Sequence, residues 1–281
     1  MLAFSKIINR KMDFDKLTMI YEKEEQIWKQ SFFTFDTSSL LNFYEYSDRA
    51  RTDIEDSILN KLKGNLWLSN QVQYEYLKNR HRPINKSIKK YEDLKKNLLT
   101  ITNQLQEIKK QTKSHLKHPV IENKIVDDFE DKLNSFKKLF DTELNKQIDE
   151  LNKREKDDEV QSKINELFTV GEPYTYNQKI EIIKEGEFRY RNSIPPGYKD
   201  YKEKVGFQKV GDLIVWKQII DYAKLKNQSV IFVMDDLKED WWVLEGQDRN
   251  PIKPREELIE EILEKAGVSF LMYSTEQFLK T

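Results

Sequence analysis

The sequence contains no cysteine, and this absence excludes several kinds of chemistry. A chain without cysteine cannot form disulfides, use a thiol nucleophile or bind zinc through sulfur, and it is compatible with a reducing compartment. Histidine is also scarce. The three histidines, His81, His115 and His118, show no ligand-like arrangement with the clustered acids of the chain. We therefore expect no metal site built from cysteine or histidine.

Long apolar runs are absent as well. No stretch approaches the roughly 18 apolar residues of a membrane span, and residues 1–15 lack the apolar core and small-residue cleavage site of a secretory signal. No charge sign dominates, because 48 Lys+Arg against 49 Asp+Glu leave a formal net charge of −1. Global charge therefore predicts no nucleic-acid partner. We expect a cytoplasmic protein with no membrane partner, in which any electrostatic recognition is local.

Strand-like and helix-like patterns alternate at both ends of the chain. The first part contains "FFTFD" (Phe32–Asp36) and "NLWLSN" (65–70), each followed by a helical pattern. The last part contains "SVIFVMDD" (229–236) and "VSFLMYS" (268–274), also beside helical patterns. Short apolar runs of this kind predict buried strands. The βα order is typical of an α/β fold with a central parallel sheet.

The middle of the chain, residues 83–180, differs from both ends. Two seams of apolar residues with gaps of three and four run through residues 84–108 and 129–151. This spacing predicts two long helices that pair as an antiparallel, coiled-coil-like hairpin. The first arm is rich in lysine and arginine, and the second is rich in acids. We predict an α/β domain formed by residues 1–82 and 181–281, with residues 83–180 as a helical insertion.

Acidic residues recur where the predicted strands end. Asp36 follows the first strand, and Asp235 and Asp236 follow "VIFVM". Asp212 lies in the first turn of the helix predicted from "GDLIVWKQII", and Glu75 lies on the helix after "NLWLSN". In open parallel sheets, the carboxyl ends of the strands and the neighbouring helix N-termini form the ligand crevice. Carboxylates without cysteine or histidine favour Mg²⁺ or Mn²⁺, ions that can clamp a phosphodiester and activate a water molecule.

Each acid also has a structural alternative. Asp36 and Asp212 could cap a turn or a helix, and Glu75 could be a plain surface charge. Glu239 and Asp240 are expected to lie in a solvated loop or behind the ligands rather than to contact metal. The chemistry of the site therefore depends on whether these side chains come together.

Two further segments are candidates for contact with a nucleic acid. "EFRYRNSIPPGYKDYK" (187–202) combines basic and aromatic residues around a proline-glycine turn, and we predict that it grips substrate phosphates through Arg189, Arg191, Lys199 and Lys202. The alternative is a rigid, packed loop. Trp241 and Trp242 could stack on bases, but tryptophans beside a sheet are more often core residues, and we favour packing.

Taken in order, these motifs resemble the PIN-like nucleases, specifically the large bacterial PIN-like domain proteins with a long helical insertion. The resemblance is carried by "FTFDTSSLLNFYEYS", "VQYEYLKNR", "IPPGYKD", "GDLIVWKQII" and "VIFVMDDLKEDWW". It implies a three-layer α/β/α, Rossmann-like domain and a nuclease that depends on Mg²⁺ or Mn²⁺. The substrate class that it favours is RNA over DNA.

The resemblance also implies roles for individual residues. Matched by position, Asp36, Glu75, Asp212 and Asp236 are the catalytic and metal-binding acids, and Asp235 is an additional candidate ligand beside Asp236. Thr37 and Asn42 match the polar positions that follow the first acid, where they would contact substrate.

The implied reaction is endoribonucleolytic hydrolysis that leaves 5′-phosphate and 3′-hydroxyl ends, in the setting of a bacterial antiviral defence effector. A phosphatase of the haloacid dehalogenase type is disfavoured, because residue 38 is serine where that family has a second aspartate. The remaining alternative is a non-catalytic PIN-like adaptor. In either case the helical hairpin is the expected site for a regulatory protein partner or a homodimer contact.

Overall fold

The structure is a computed structural model that describes residues 24–114, 123–199, 201 and 204–280. Three residues singled out in the sequence, His115, His118 and Lys202, lie outside the described residues. The chain divides into two compact units. The first comprises Met1–Leu40, Asp48–Leu77 and Asn165–Thr281, and the second comprises Leu41–Ser47 and Lys78–Ile164.

The described elements follow one another in an order that returns to the α/β pattern after two long helices. They are α1 (Glu24–Lys29), β1 (Ser31–Phe35), α2 (Thr37–Asn42), α3 (Asp48–Ile54), β2 (Trp67–Leu68), α4 (Asn70–Asn79), α5 (His81–Ser114), α6 (Asn123–Lys153), α7 (Glu159–Leu167), β3 (Thr169–Val170), α8 (Tyr176–Arg191), α9 (Gly211–Lys226), β4 (Ser229–Val233), β5 (Trp242–Glu245), β6 (Asn250–Pro254), α10 (Glu256–Ala266), β7 (Phe270–Tyr273) and α11 (Thr275–Phe278).

A parallel sheet forms the centre of the first unit. β4 is its middle strand, and β1 and β7 pair with it on either side, with Ser31 opposite Ser229 and Val230 opposite Phe270. β2 and β3 form a second parallel pair, and a parallel bridge between Phe33 and Leu66 joins this region to β1. β5 and β6 form an antiparallel pair after β4. The predicted α/β class with a parallel sheet is therefore confirmed.

β1 and β4 of the central sheet are largely apolar because both of their faces are buried. Every residue of β1 and Val230–Val233 of β4 are buried. Parallel strands covered on both sides lack the polar alternation of half-exposed strands. Phe35 packs edge-on against Phe168 and Phe278, so helices from distant parts of the chain share one core.

The two tryptophans after β4 belong to this core. Trp241 and Trp242 are each 1% exposed. The ring of Trp241 contacts those of Phe232 and Trp216, which attaches the loop after β4 to both the sheet and α9. Buried rings cannot stack on the bases of a nucleic acid, so the packing interpretation is confirmed for both residues.

The second unit contains the long helices α5 and α6. They contact each other, and Lys109 on α5 pairs with Asp127 on α6 at 2.8 Å between Nζ and Oδ1. Leu98, Leu105 and Leu144 on these helices are buried. The unit ends at Ile164, earlier than the predicted boundary at residue 180, and β3 belongs with the first unit, where it pairs with β2. Among the described helices, none is both long and apolar enough to cross a membrane.

Candidate active site

Asp36 lies at the point where β1 meets α2. Its N–H donates to the carbonyl of Val233 at 2.8 Å, which fixes it at the carboxyl end of the sheet. One carboxylate oxygen, Oδ2, accepts bonds from the N–H of Ser38 at 3.0 Å and from its hydroxyl at 2.7 Å, as a turn-capping aspartate does. Burial raises the pKa of Asp36 against these bonds, and the charge of Asp212 raises it further. Asp36 is therefore both a cap and a member of an acidic cluster.

Glu75 is not a plain surface charge. It lies on α4, half-buried, where Gln71 Nε2 donates to its Oε1 at 2.7 Å and the Thr37 hydroxyl donates to its Oε2 at 3.4 Å. Burial raises the pKa of this carboxyl, the bond from Gln71 opposes the rise, and the charges of Asp36 and Asp212 add to it. The helix thus holds Glu75 within electrostatic reach of both aspartates.

Asp212 is the common member of these interactions. It lies in the first turn of α9, as predicted, and its Oδ2 is buried without a hydrogen-bond partner. Its charge raises the pKa values of Asp36, Glu75 and Asp240. Like charges gathered in this way destabilise one another unless a cation relieves them.

Two glycines allow backbone to approach these acids closely. A Cβ added at Gly197 would lie 3.1 Å from the Cβ of Asp212, and one at Gly211 would lie 3.0 Å from Oε1 of Glu75. Gly197 also has a φ of +94°, a left-handed conformation that side chains other than hydrogen rarely allow. The backbone itself therefore forms part of the wall around the acidic cluster.

Asp240 differs most from its predicted environment. A solvated loop was one expectation for this residue, yet its side chain is fully buried. Oδ2 accepts bonds from the N–H groups of Gly197 at 3.0 Å and Lys199 at 3.1 Å, while Oδ1 is buried without a hydrogen-bond partner. Burial raises its pKa, the bond from Lys199 opposes this, and the charge of Asp212 adds to the rise. Asp240 thus holds the proline-glycine loop beside Asp212.

The adjacent acids Asp235 and Asp236 have different partners. Asp235 accepts bonds from the N–H and the hydroxyl of Thr275, at 2.7 and 2.6 Å, so both of its oxygens are directed to the start of α11. The carboxylate of Asp236 lies 3.0 Å from Lys238 Nζ, and the same ammonium lies 3.7 Å from Oδ2 of Asp212. Asp236 therefore belongs to the acidic cluster through Lys238, whereas Asp235 anchors Thr275 at the start of α11.

Arg189 does not occupy the predicted position of a phosphate ligand. It is buried, and its Nη1 donates to Glu261 and to the Pro195 carbonyl, each at 2.9 Å. A second guanidinium nitrogen also pairs with Glu261. Burial would raise the pKa of Glu261, but bonds from Arg189, Lys265 and Trp216 outweigh it and lower the pKa to about 2. The guanidinium of Arg189 is therefore engaged within the protein, and its contact with substrate stays a prediction that this arrangement does not favour.

The other predicted substrate residues have varied environments. Arg191 is exposed at the end of α8. Lys199 is also exposed and forms an ion pair with Glu239. Thr37 is buried against Glu75, and Asn42, the last residue of α2, belongs to the second unit. Only Arg191 and Lys199 among the described basic residues of the loop are placed where a ligand could reach them.

The acids match a hard divalent cation in chemistry but do not form a ready-made metal centre. Within the described ranges, no group of three or more His, Cys, Asp or Glu side chains is arranged to hold a metal ion. The donors that do interact are all carboxylates, which Mg²⁺ and Mn²⁺ prefer. The buried Oδ2 of Asp212 accepts no hydrogen bond. The negative charges of Asp36 and Asp212 also repel that of Glu75. These features fit a cation that would draw the acids together.

Comparison with known proteins identifies a family for the chain. A family model described as a PIN like domain matches residues 32–258, which is most of the chain and includes every acid of the cluster. No curated protein and no solved structure shows a significant match. The chain therefore belongs to the PIN-like domain family.

Proposed function

We propose that this protein is a Mg²⁺- or Mn²⁺-dependent endoribonuclease that leaves 5′-phosphate and 3′-hydroxyl ends. Membership of the PIN-like domain family supports a nuclease, because PIN-like domains are typically nucleases. The observation that carries the proposal further is the coupling of Asp36 and Glu75 to the charge of Asp212. These residues come from separate parts of the chain, and a purely structural role explains neither their proximity nor the buried oxygen of Asp212 that accepts no hydrogen bond.

In this proposal, Asp36, Glu75 and Asp212 hold the divalent ion, and Asp236 completes the acidic edge of the site. A bound ion of this kind polarises a phosphodiester and lowers the pKa of an attacking water. The Thr37 hydroxyl, which donates to Glu75, keeps that carboxylate oriented toward the other acids. Asp240 acts indirectly, because its carboxylate binds the N–H of Gly197 and so holds that backbone against Asp212.

The substrate would reach the site beside the proline-glycine loop. Arg191 and Lys199 are exposed there, and Lys202 follows in the sequence, so these residues remain the candidates for phosphate contacts. Basic side chains that contact phosphates position a nucleic acid without reading its sequence. We favour RNA over DNA as the substrate on the strength of the family resemblance.

The test is cleavage of end-labelled RNA, single-stranded DNA and duplex DNA with Mn²⁺ or with EDTA. We expect RNA to be cut by the wild type with Mn²⁺ and not with EDTA, and Asp212→Asn to lose activity by at least about 100-fold, because three acids interact with its carboxylate. Asp248→Asn is the matched control, since Asp248 is an exposed aspartate on the turn between β5 and β6. Equal cleavage by wild type and Asp212→Asn, or cleavage that persists in EDTA, would reject the proposal.

A second candidate function is that of an adaptor, and the surface of the second unit favours it. Large apolar side chains are exposed on both long helices, including Leu99 and Ile101 on α5 and Phe136 and Leu139 on α6. We infer that α5 and α6 pair as the antiparallel insertion expected from the sequence and present these residues to a partner protein. A chain that binds no Mn²⁺ and cuts no nucleic acid, yet self-associates or captures a partner through α6, would support the adaptor.

A further inference from the structure

Lys238 was not singled out by its sequence pattern, but it pairs with two acids of the cluster, while the charge of Lys204 acts on Glu75. Its ammonium lies 3.0 Å from Oδ2 of Asp236 and 3.7 Å from Oδ2 of Asp212. The nitrogen therefore bridges two carboxylates that come from different elements. Its charge also lowers the pKa of the buried Asp240, against the effect of burial.

The backbone around Lys238 fixes where this ammonium can lie. The N–H of Lys238 donates to the carbonyl of Asp236 at 2.9 Å. Its own carbonyl accepts bonds from the N–H groups of Trp241 at 3.1 Å and Trp242 at 2.9 Å, and both of those tryptophans are buried. The side chain is only 23% exposed. Lys238 is thus anchored at its base, unlike a solvated surface lysine.

A cation between two carboxylates resembles one half of a two-metal arrangement. In such sites the two ions lie roughly 3.5–4 Å apart and share carboxylate ligands. The ammonium of Lys238 occupies a bridging position of this type between Asp212 and Asp236. A divalent ion placed there would meet the positive charge of Lys238 at close range, and like charges at close range repel one another strongly in a partly buried site.

We propose that Lys238 takes one of the two cation positions of the acidic cluster, so that the protein binds a single divalent ion, at Asp36, Glu75 and Asp212. This inference rests on the proposed function. It makes Lys238 a positioning residue, which neutralises the Asp236 side of the site and confines the ion to the opposite side. It also accounts for an acidic cluster that is stable before any metal is bound.

The experiment is the stoichiometry of Mn²⁺ binding by the full-length chain, measured by isothermal titration calorimetry. Free Mn²⁺ is counted independently by electron paramagnetic resonance. The key variant is Lys238→Met, which keeps an unbranched side chain one atom shorter and removes the charge, and Lys238→Arg retains a positive charge. Lys224→Met, an exposed lysine in the last turn of α9, controls for the loss of a lysine elsewhere. Melting curves confirm that every variant is folded.

We expect one Mn²⁺ per chain for the wild type, Lys238→Arg and Lys224→Met, and two for Lys238→Met. Crystals soaked in MnCl₂ should show a matching change from one anomalous peak to two. A wild-type stoichiometry other than one, or a single ion in Lys238→Met, would overturn the inference. If neither the wild type nor any variant bound Mn²⁺, the proposed metal-dependent nuclease would fail as well, so the two failures can be told apart.

Discussion

Arg189 and Arg191 lie two positions apart on α8, but the structure predicts opposite consequences for their loss. Arg189 is buried in a network with Glu261 and the Pro195 carbonyl, whereas Arg191 is exposed. A change of Arg189 to methionine keeps the apolar stem and removes the guanidinium. It would leave the Glu261 carboxylate buried with its principal charged partner missing.

The size of the effect follows from Glu261. Its pKa of about 2, against an ordinary value of 4.5, corresponds to about 3 kcal/mol of preferential stabilisation of the ionised carboxylate. Loss of one partner of a buried ion pair typically costs about 3–5 kcal/mol. We therefore expect Arg189→Met to lower the free energy of unfolding at pH 7 by about 3 kcal/mol. For a chain of this size, this loss corresponds to a fall of about 6–12 °C in Tm.

The dependence on pH gives a second check of the same reasoning. Because the pKa of Glu261 is lowered in the folded state, its stabilising contribution is present above its ordinary value of 4.5 and is lost as the pH falls toward 2. The gap between wild type and Arg189→Met should therefore be largest near neutral pH and narrow in acid. Urea denaturation at several pH values measures this gap.

Arg191→Met is the matched control for Arg189→Met. It should unfold within about 0.5 kcal/mol of the wild type, as exposed substitutions usually do. If the loop contacts phosphates, Arg191→Met should instead weaken RNA binding and reduce its salt dependence. The assignment of Arg189 would be refuted by an Arg189→Met protein of wild-type stability that fails to bind RNA.

Three other perturbations test the site. Burial raises the pKa values of Asp36 and Glu75, so the metal-free protein should lose stability as the pH rises from the ordinary pKa values of these carboxyls to their raised ones. Mn²⁺ affinity, measured by calorimetry, should increase over the same pH range, because binding requires both groups to be deprotonated. An affinity independent of pH would contradict this. Gly197→Ala should lower Tm more than Gly246→Ala, because both glycines have positive φ but only the Cβ at Gly197 would meet Asp212; equal melting temperatures would argue against the crowding. Asp235→Asn should cost about 1 kcal/mol of stability, because the amide nitrogen cannot accept the second bond from Thr275, and should leave Mn²⁺ stoichiometry unchanged. A change in stoichiometry would return Asp235 to the ligand set.

The parallel sheet and the order of its acids could be predicted because they depend on local patterns. β1 and β4 are continuous apolar runs, and Asp36 and Asp236 follow them directly. The position of Asp212 in the first turn of α9 was predictable from "GDLIVWKQII" for the same reason. A side chain that directly follows a strand, or that lies in the first turn of a helix, can be placed from the local sequence alone.

The partners of charged residues could not be predicted, because they come from distant segments. No residue near Arg189 in the sequence indicates that it pairs with Glu261. The sequence pattern around an arginine among tyrosines does not distinguish a buried arginine from an exposed one. Asp240 lies in a run of acids that predicts exposure to solvent, yet it is buried together with the two tryptophans that follow it. Those buried tryptophans were the available signal for Asp240. Lys238 had no comparable signal, since its role depends on Asp212 approaching from α9.

The strand order of the central sheet has a consequence for synthesis. β4 is the middle strand, and its partners β1 and β7 come from opposite ends of the described chain. While the ribosome is still translating, β1 must wait for β4, and the sheet gains its last strand only when β7 emerges. Asp36 is fixed to the sheet only once β4 is available, because its N–H donates to the carbonyl of Val233 and non-local pairings form late. A ribosome-bound chain that has not yet released β4 would therefore carry Asp36 without the strand that positions it.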